Sequence, residues 1–176
     1  EASGTSNMKF MLDGALTVAT LDGANIEIKD YVGEDNIFIF GLKKEEVLQY
    51  EADHSYQASD YYANDPILHR VLDAFVDGTI PSIGAEGAEI FNSLVHANDE
   101  YFVLRDFEDY LRAQGEVEKT YRNPSLWNKK CLVNIANAGY FSSDYTIQKY
   151  ADEIWHVAPS DPLDGKDCGA NGQYPL

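Results

Sequence analysis

Residues 16–50 read LTVATLDGANIEIKDYVGEDNIFIFGLKKEEVLQY, and this stretch decides the fold class. Leu16 to Leu21 is a short run of β-leaning residues, closed by the turn pair Asp22-Gly23. A helix is predicted from Ala24 to about Tyr31. Ile37-Phe38-Ile39-Phe40 is the clearest strand: compact, apolar, and bounded by Asn36 and Gly41. A further helix is predicted over Lys43 to Tyr50. Strand, helix, strand, helix is the order of a parallel sheet with right-handed crossovers, since parallel neighbours cannot be joined by a tight turn. The fold class is α/β.

On the N-terminal side, residues 1–7 (EASGTSN) lack apolar periodicity and read as a loop or a helix start. Met8, Met11 and Leu12 follow at helical spacing, with Gly14 as the stop. On the C-terminal side the chain is helix-rich. Leu68, Val71, Leu72 and Phe75 mark one amphipathic face, ended by Gly78, and Ala88 to Val95 reads as another helix. Tyr101-Phe102-Val103-Leu104 is expected to be a late strand, with Asp106 capping the helix after it. Leu126, Trp127, Cys131, Leu132 and Ile135 form a stripe after Pro124. Ser143 is expected to cap a last helix that buries Ile147, Tyr150, Ala151, Ile154 and Trp155. Residues 160–176, with three Gly and two Pro, read as a loose tail.

With 176 residues, 44% of them hydrophobic, the chain can bury a core of its own. Its formal charge of -17 opposes nucleic-acid phosphates and anionic membrane surfaces, so both are discounted as partners. Cys131 and Cys168 make no disulfide framework, no run spans a membrane, and the expected setting is reducing and cytoplasmic.

The segment Glu1 to Lys9 has a chemistry of its own. A Ser-Gly-Thr-Ser run leading into a helix offers backbone N–H groups at the positive end of the helix dipole. Such a place suits a phosphate or a sugar hydroxyl, and Gly4 lets a ligand approach the backbone. The same residues also make an ordinary N-cap through Ser6 or Asn7, and spacing does not separate the two readings.

EASGTSNMKFML, Glu1 to Leu12, resembles the pyridoxal-phosphate signature of the α-glucan (glycogen or maltodextrin) phosphorylases. The likeness continues through GALTVATLDGANIEI (14–28), NIFIFG (36–41) and FSSDYTIQKYADEIW (141–155), and so spans residues 1 to about 160. The family usually has Asn at position 13, where this chain has Asp13, which adds a negative charge and loses an amide donor.

The resemblance implies the C-terminal part of the second Rossmann-like domain in a two-domain (GT-B-like) glycosyltransferase architecture. Residues 1–159 would be a portion of the catalytic domain and residues 160–176 its tail. It implies that Lys9 holds pyridoxal 5′-phosphate as a Schiff base, and that Thr5 helps bind the cofactor phosphate. Glu1 would accept hydrogen bonds from glucosyl hydroxyls, and the N–H groups of Ser3 and Gly4 would donate to others. The parent enzyme would pass a glucosyl unit from an α-1,4-glucan to inorganic phosphate with retention, giving glucose 1-phosphate. In it the cofactor's 5′-phosphate exchanges a proton with inorganic phosphate, and the expected assembly is a homodimer. Because further cations around the two phosphates would come from outside this chain, the 176 residues alone are expected to be inactive.

Two other classes stay open: a non-catalytic binding or structural module of the same fold, and a nucleotide-sugar transferase without the cofactor, against which Lys9 argues. The other candidates are weaker. Asp22-Gly23-Ala24-Asn25 is either a ligand turn or a capped βα turn, and the four histidines are scattered without metal spacing. Glu45-Glu46 and Asp106/Glu108/Asp109 read as solvated helix starts. Tyr61-Tyr62 and Tyr140-Phe141 could stack on sugar rings or pack under helices.

Overall fold

The structure is a computed structural model and describes residues 4–158. These fall into two compact units, one ending at Asn137 and the other beginning at Ala138. In the first, α1 (Thr5–Leu12) leads into β1 (Val18–Ala19), α2 (Ala24–Val32) and β2 (Phe38–Ile39). The strands pair in parallel, Val18 opposite Phe38 and Ala19 opposite Ile39, as expected of a strand–helix–strand order. Gly14, at φ +78°, turns the chain between α1 and β1, and a Cβ there would lie 3.0 Å from Ile135 Cδ1.

Then come α3 (Lys44–Asp53), α4 (Ala58–Asn64), α5 (Pro66–Asp73), α6 (Gly84–Phe91), a π-helical turn (Asn92–His96), α7 (Val103–Tyr121) and α8 (Pro124–Asn137). Asp65 starts α5 by accepting from the N–H groups of Ile67 and Leu68, with Pro66 in the first turn, where its missing N–H costs nothing. The main core gathers Tyr56, Ala58, Leu68, Leu72, Val95 and Leu104, with Tyr50, Tyr61, Phe91 and Phe102 packed around them. Met11 of α1, Ile28 and Val32 of α2, and Ile37 and Phe38 at β2 are buried as well.

The expected strand at Tyr101–Leu104 is absent. Phe102 has φ +58° and precedes the first residue of α7, so the apolar run straddles a helix start. Its N-terminal acceptor is Asp99, not Asp106. The buried Asp99 carboxylate accepts from Leu104 N–H at 2.7 Å and from the Tyr56 hydroxyl at 2.9 Å. Burial, and then the hydrogen bond to Asp99, push the Tyr56 phenol well above its ordinary value. Asn98 beside it bonds the backbone of Tyr56 and Ala58, so one loop clamps the start of α4.

Asp106 and Asp109 are not merely solvated. They accept from Leu42 N–H (2.9 Å) and Gly41 N–H (2.8 Å), and Arg112 donates to the Ile39 carbonyl. One face of α7 thus fixes the turn after β2. At Gly41, φ is +83° and a Cβ would stand 2.6 Å from Asp106 Oδ2, so both conformation and space call for glycine.

The stripe on α8 is only partly covered: Leu126, Leu132 and Ile135 are exposed, Cys131 is half-buried, and the fully buried side chain of the helix is Asn134. Its Nδ2 donates to the Asn36 and Lys130 carbonyls. In the second unit, α9 (Ser143–Lys149) runs into a π-helical segment (Tyr150–Trp155). Ser142, rather than Ser143, caps it, accepting from Tyr145 N–H. Ile147, Tyr150, Ile154 and Trp155 are exposed, so the expected buried face is bare. The tail expected at 160–176 lies outside the described residues.

Candidate cofactor and substrate site

α1 presents Lys9 and Thr5 one turn apart, at the i, i+4 spacing that puts two side chains on one face, and both residues are exposed. Gly4, at the N-cap, supplies no side-chain acceptor, so the first turn keeps backbone N–H groups that the helix cannot satisfy itself. The opposite side of the helix is anchored by Met11, which is fully buried. Glu1 and Ser3 lie outside the described residues.

The first turn of α1 is held in place by hydrogen bonds that periodicity did not predict. Asn7 accepts from Met8 N–H through Oδ1, and its Nδ2 donates to Asn25 Oδ1 at 2.8 Å. Asn25, itself buried, donates to the Thr20 carbonyl at 3.1 Å and to Asp22 Oδ1 at 3.4 Å. Asn7 and the Asp22–Asn25 turn, which look like separate features in the sequence, therefore form one hydrogen-bonded unit. It joins the start of α1 to the carboxyl end of β1, where open parallel sheets place ligands. Asn25 shares the buried face of α2 with Ile28 and Val32, and an amide among aliphatics at helical spacing is the signal that could have shown it.

Asp13 follows α1, and its backbone N–H donates to the Phe10 carbonyl, while the next N–H, that of Gly14, donates to Met11; the Asp13 side chain is exposed. The histidines have structural partners. His69 stacks on Tyr62 and pairs with Asp73, His96 packs edge-on to Phe91, His156 meets the Asp152 carbonyl, and His54 ends α3 in the left-handed conformation. Among the described residues no group of His, Cys, Asp and Glu is arranged to hold a metal, and no helix is long and apolar enough to cross a membrane.

Comparison of the sequence with known proteins points to one family. The carbohydrate phosphorylase model matches residues 1–157. The glycogen phosphorylase of Bacillus subtilis is 49% identical over 159 residues, covering 90% of this chain and 20% of that protein. The human brain-form glycogen phosphorylase is 47% identical over 162 residues, covering 92% and 19%. The human muscle form is 45% identical over 161 residues, covering 91% and 19%. The chain thus spans about a fifth of the length of these curated relatives. With the family model matching nearly the whole described chain, this chain belongs to the carbohydrate phosphorylase family.

Proposed function

We propose that the protein containing this chain is an α-glucan phosphorylase, releasing glucose 1-phosphate from the non-reducing end of an α-1,4-glucan with retention, and that Lys9 carries pyridoxal 5′-phosphate. The observation that carries the reading is α1. An exposed primary amine stands one turn from a helix N-terminus with no side-chain cap, and the helix is held by Met11 and by the Asn7–Asn25 bond. These residues fit the cofactor: an amine to bond its aldehyde carbon, and an N-terminal turn that favours an anion.

When bound, the cofactor supplies a phosphate that exchanges a proton with inorganic phosphate. The chain's own residues bind and orient. Lys9 fixes the ring, Thr5 and the first-turn N–H groups hold the cofactor phosphate, and Glu1 accepts from glucosyl hydroxyls while the N–H groups of Ser3 and Gly4 donate. Two phosphates brought together need offsetting charge, and a chain of formal charge -17 supplies little of it. We therefore expect the longer protein to contribute cations, and the 176 residues alone to show no turnover. Two paired strands of two residues each read as part of a larger sheet, which supports the second Rossmann-like domain of a GT-B-like architecture. A cytoplasmic homodimer completes the reading.

The test is glucose 1-phosphate release from maltodextrin and phosphate by the longer protein. Glu1→Ala should cut turnover roughly 10- to 100-fold, the loss of a hydrogen bond to a charged acceptor, with cofactor content unchanged. No release by the unmodified protein, or full turnover in the variant, would contradict the assignment.

A further inference from the structure

Met11 and Asn7 hold α1 to the rest of its unit in different ways. Met11, fully buried, holds the C-terminal half through apolar contact, which has no preferred direction. Asn7 holds the N-terminal half through a hydrogen bond to Asn25, which has one. The two stand at i and i+4, so both holds lie on one side of the helix. Asn7 is two residues from Thr5 and two from Lys9, about 200° around the axis from each. The candidate cofactor residues therefore occupy the side away from the holds. Met11 keeps the helix docked, and the amide pair resists its turning about its own axis.

The pair is itself oriented from the sheet. The Thr20 carbonyl, just beyond β1, can only accept, so Asn25 must turn its Nδ2 towards it, at 3.1 Å. That leaves Asn25 Oδ1 facing α1, where it accepts from Asn7 Nδ2 at 2.8 Å. Asn7 in turn presents its own Oδ1 to the helix and accepts from Met8 N–H at 2.9 Å. Neither amide can flip without setting oxygen against oxygen, so one backbone carbonyl fixes the sense of the whole relay. Asp22 supports it, one oxygen lying 3.4 Å from Asn25 Nδ2 and the other accepting from the Thr20 hydroxyl. Asn25 is buried on the face of α2 that carries Ile28 and Val32, which keeps competing water away from the relay.

Stability alone does not call for this arrangement. Replacing both partners of a buried hydrogen bond by apolar groups of the same shape is often close to neutral. What an amide relay adds is direction. Lys9 reaches an aldehyde on a long, flexible side chain, which can follow a small rotation of the helix; the backbone N–H groups of the first turn cannot. We propose that Asn7 and Asn25 are positioning residues: by fixing the rotation of α1, they aim its first-turn N–H groups at the cofactor's phosphate. The inference rests on the phosphorylase reading above and deepens it, because it separates the hold on the phosphate from the hold on the aldehyde.

The test uses the longer protein, freed of its cofactor, and two probes: pyridoxal 5′-phosphate, and pyridoxal, which carries the same aldehyde without the phosphate. Asn7→Ala, which favours the helix, should weaken binding of pyridoxal 5′-phosphate roughly tenfold, the loss of one hydrogen bond to a phosphate, and leave pyridoxal binding unchanged. Asn25→Leu, at the other end of the bond, should do the same, and the double variant should lose no more than either alone. A control in the other buried cluster, Asp99→Ala, should move neither affinity. Equal weakening of both probes would mean a helix merely loosened, and unchanged binding of the phosphate probe would mean that the relay aims nothing. Either result overturns the proposal, as does the same selective loss in Asp99→Ala. If Asn25→Leu melts early, Asn7→Ala decides alone. An unmodified protein that bonds neither probe at Lys9 contradicts the phosphorylase reading and this proposal with it. Bonding at Lys9 without the selective loss contradicts the proposal alone.

Discussion

The cluster built on α4, α5 and α7 and the region around α1 and the strands belong to one unit, yet they are finished to different degrees. In the first, Leu68, Leu72, Val95 and Leu104 are all but sealed, aromatic rings close around them, and Asn98 and Asp99 satisfy the backbone of neighbouring segments. In the second, Met11 and Ile28 are fully buried, but Phe10 is 61% exposed, Leu12 51% and Leu132 65%. Burial of apolar surface is the main stabilising term, so the two regions should differ in local stability. The helix that carries the candidate chemistry stands in the less covered one.

The largest expected effect compares a leucine from each region. Leu72→Ala should destabilise the 176-residue chain by about 2–5 kcal/mol, while Leu132→Ala should stay within about 0.5 kcal/mol. Urea unfolding of both variants checks this; equal losses would erase the distinction between the regions.

A middle-sized effect concerns the clamp. Asp99→Ala leaves the Tyr56 hydroxyl and the Leu104 N–H without their acceptor, and should cost about 1–3 kcal/mol. A double-mutant cycle with Tyr56→Phe should show coupling, and strictly additive losses would mean that the pair does not act together.

The smallest effect is a pH dependence where α7 meets the turn after β2. Burial holds the Asp106 carboxyl above its usual 3.8, against the pull of the Leu42 N–H. A carboxyl raised on folding binds more protons when folded than when unfolded. Its contribution is complete below the unfolded value and is lost as pH rises through the folded one. Asp106→Asn, which keeps an oxygen for Leu42, should therefore gain stability relative to the parent chain as pH rises from about 3 to about 7. Melting temperatures across that range test the sign, and a gain that shrinks with rising pH contradicts it.

Local periodicity was enough to place α1, α2, α3 and the parallel pairing of the strands to within a few residues, since each is written in neighbouring side chains. It failed where a tertiary partner decides the structure. Tyr101 to Leu104 has strand composition, but Asp99 captures the Leu104 N–H and Phe102 turns left-handed, so a helix begins within the run. On α8 and the last helix the stripes are real. Periodicity reports that a face is apolar, not that the described residues cover it. In the candidate site, the spacing of Thr5 and Lys9 was legible as soon as the helix was. The Asn7–Asn25 bond joins residues 18 apart, and no local pattern encodes it.

Reductive trapping tests directly whether Lys9 carries the cofactor. The longer protein, purified with its cofactor, is treated with borohydride, digested and mapped. The pyridoxyl group is predicted on the peptide containing Lys9, and Lys9→Ala should abolish the label. A label on another lysine, or none at all, would contradict the assignment of this helix as the cofactor carrier.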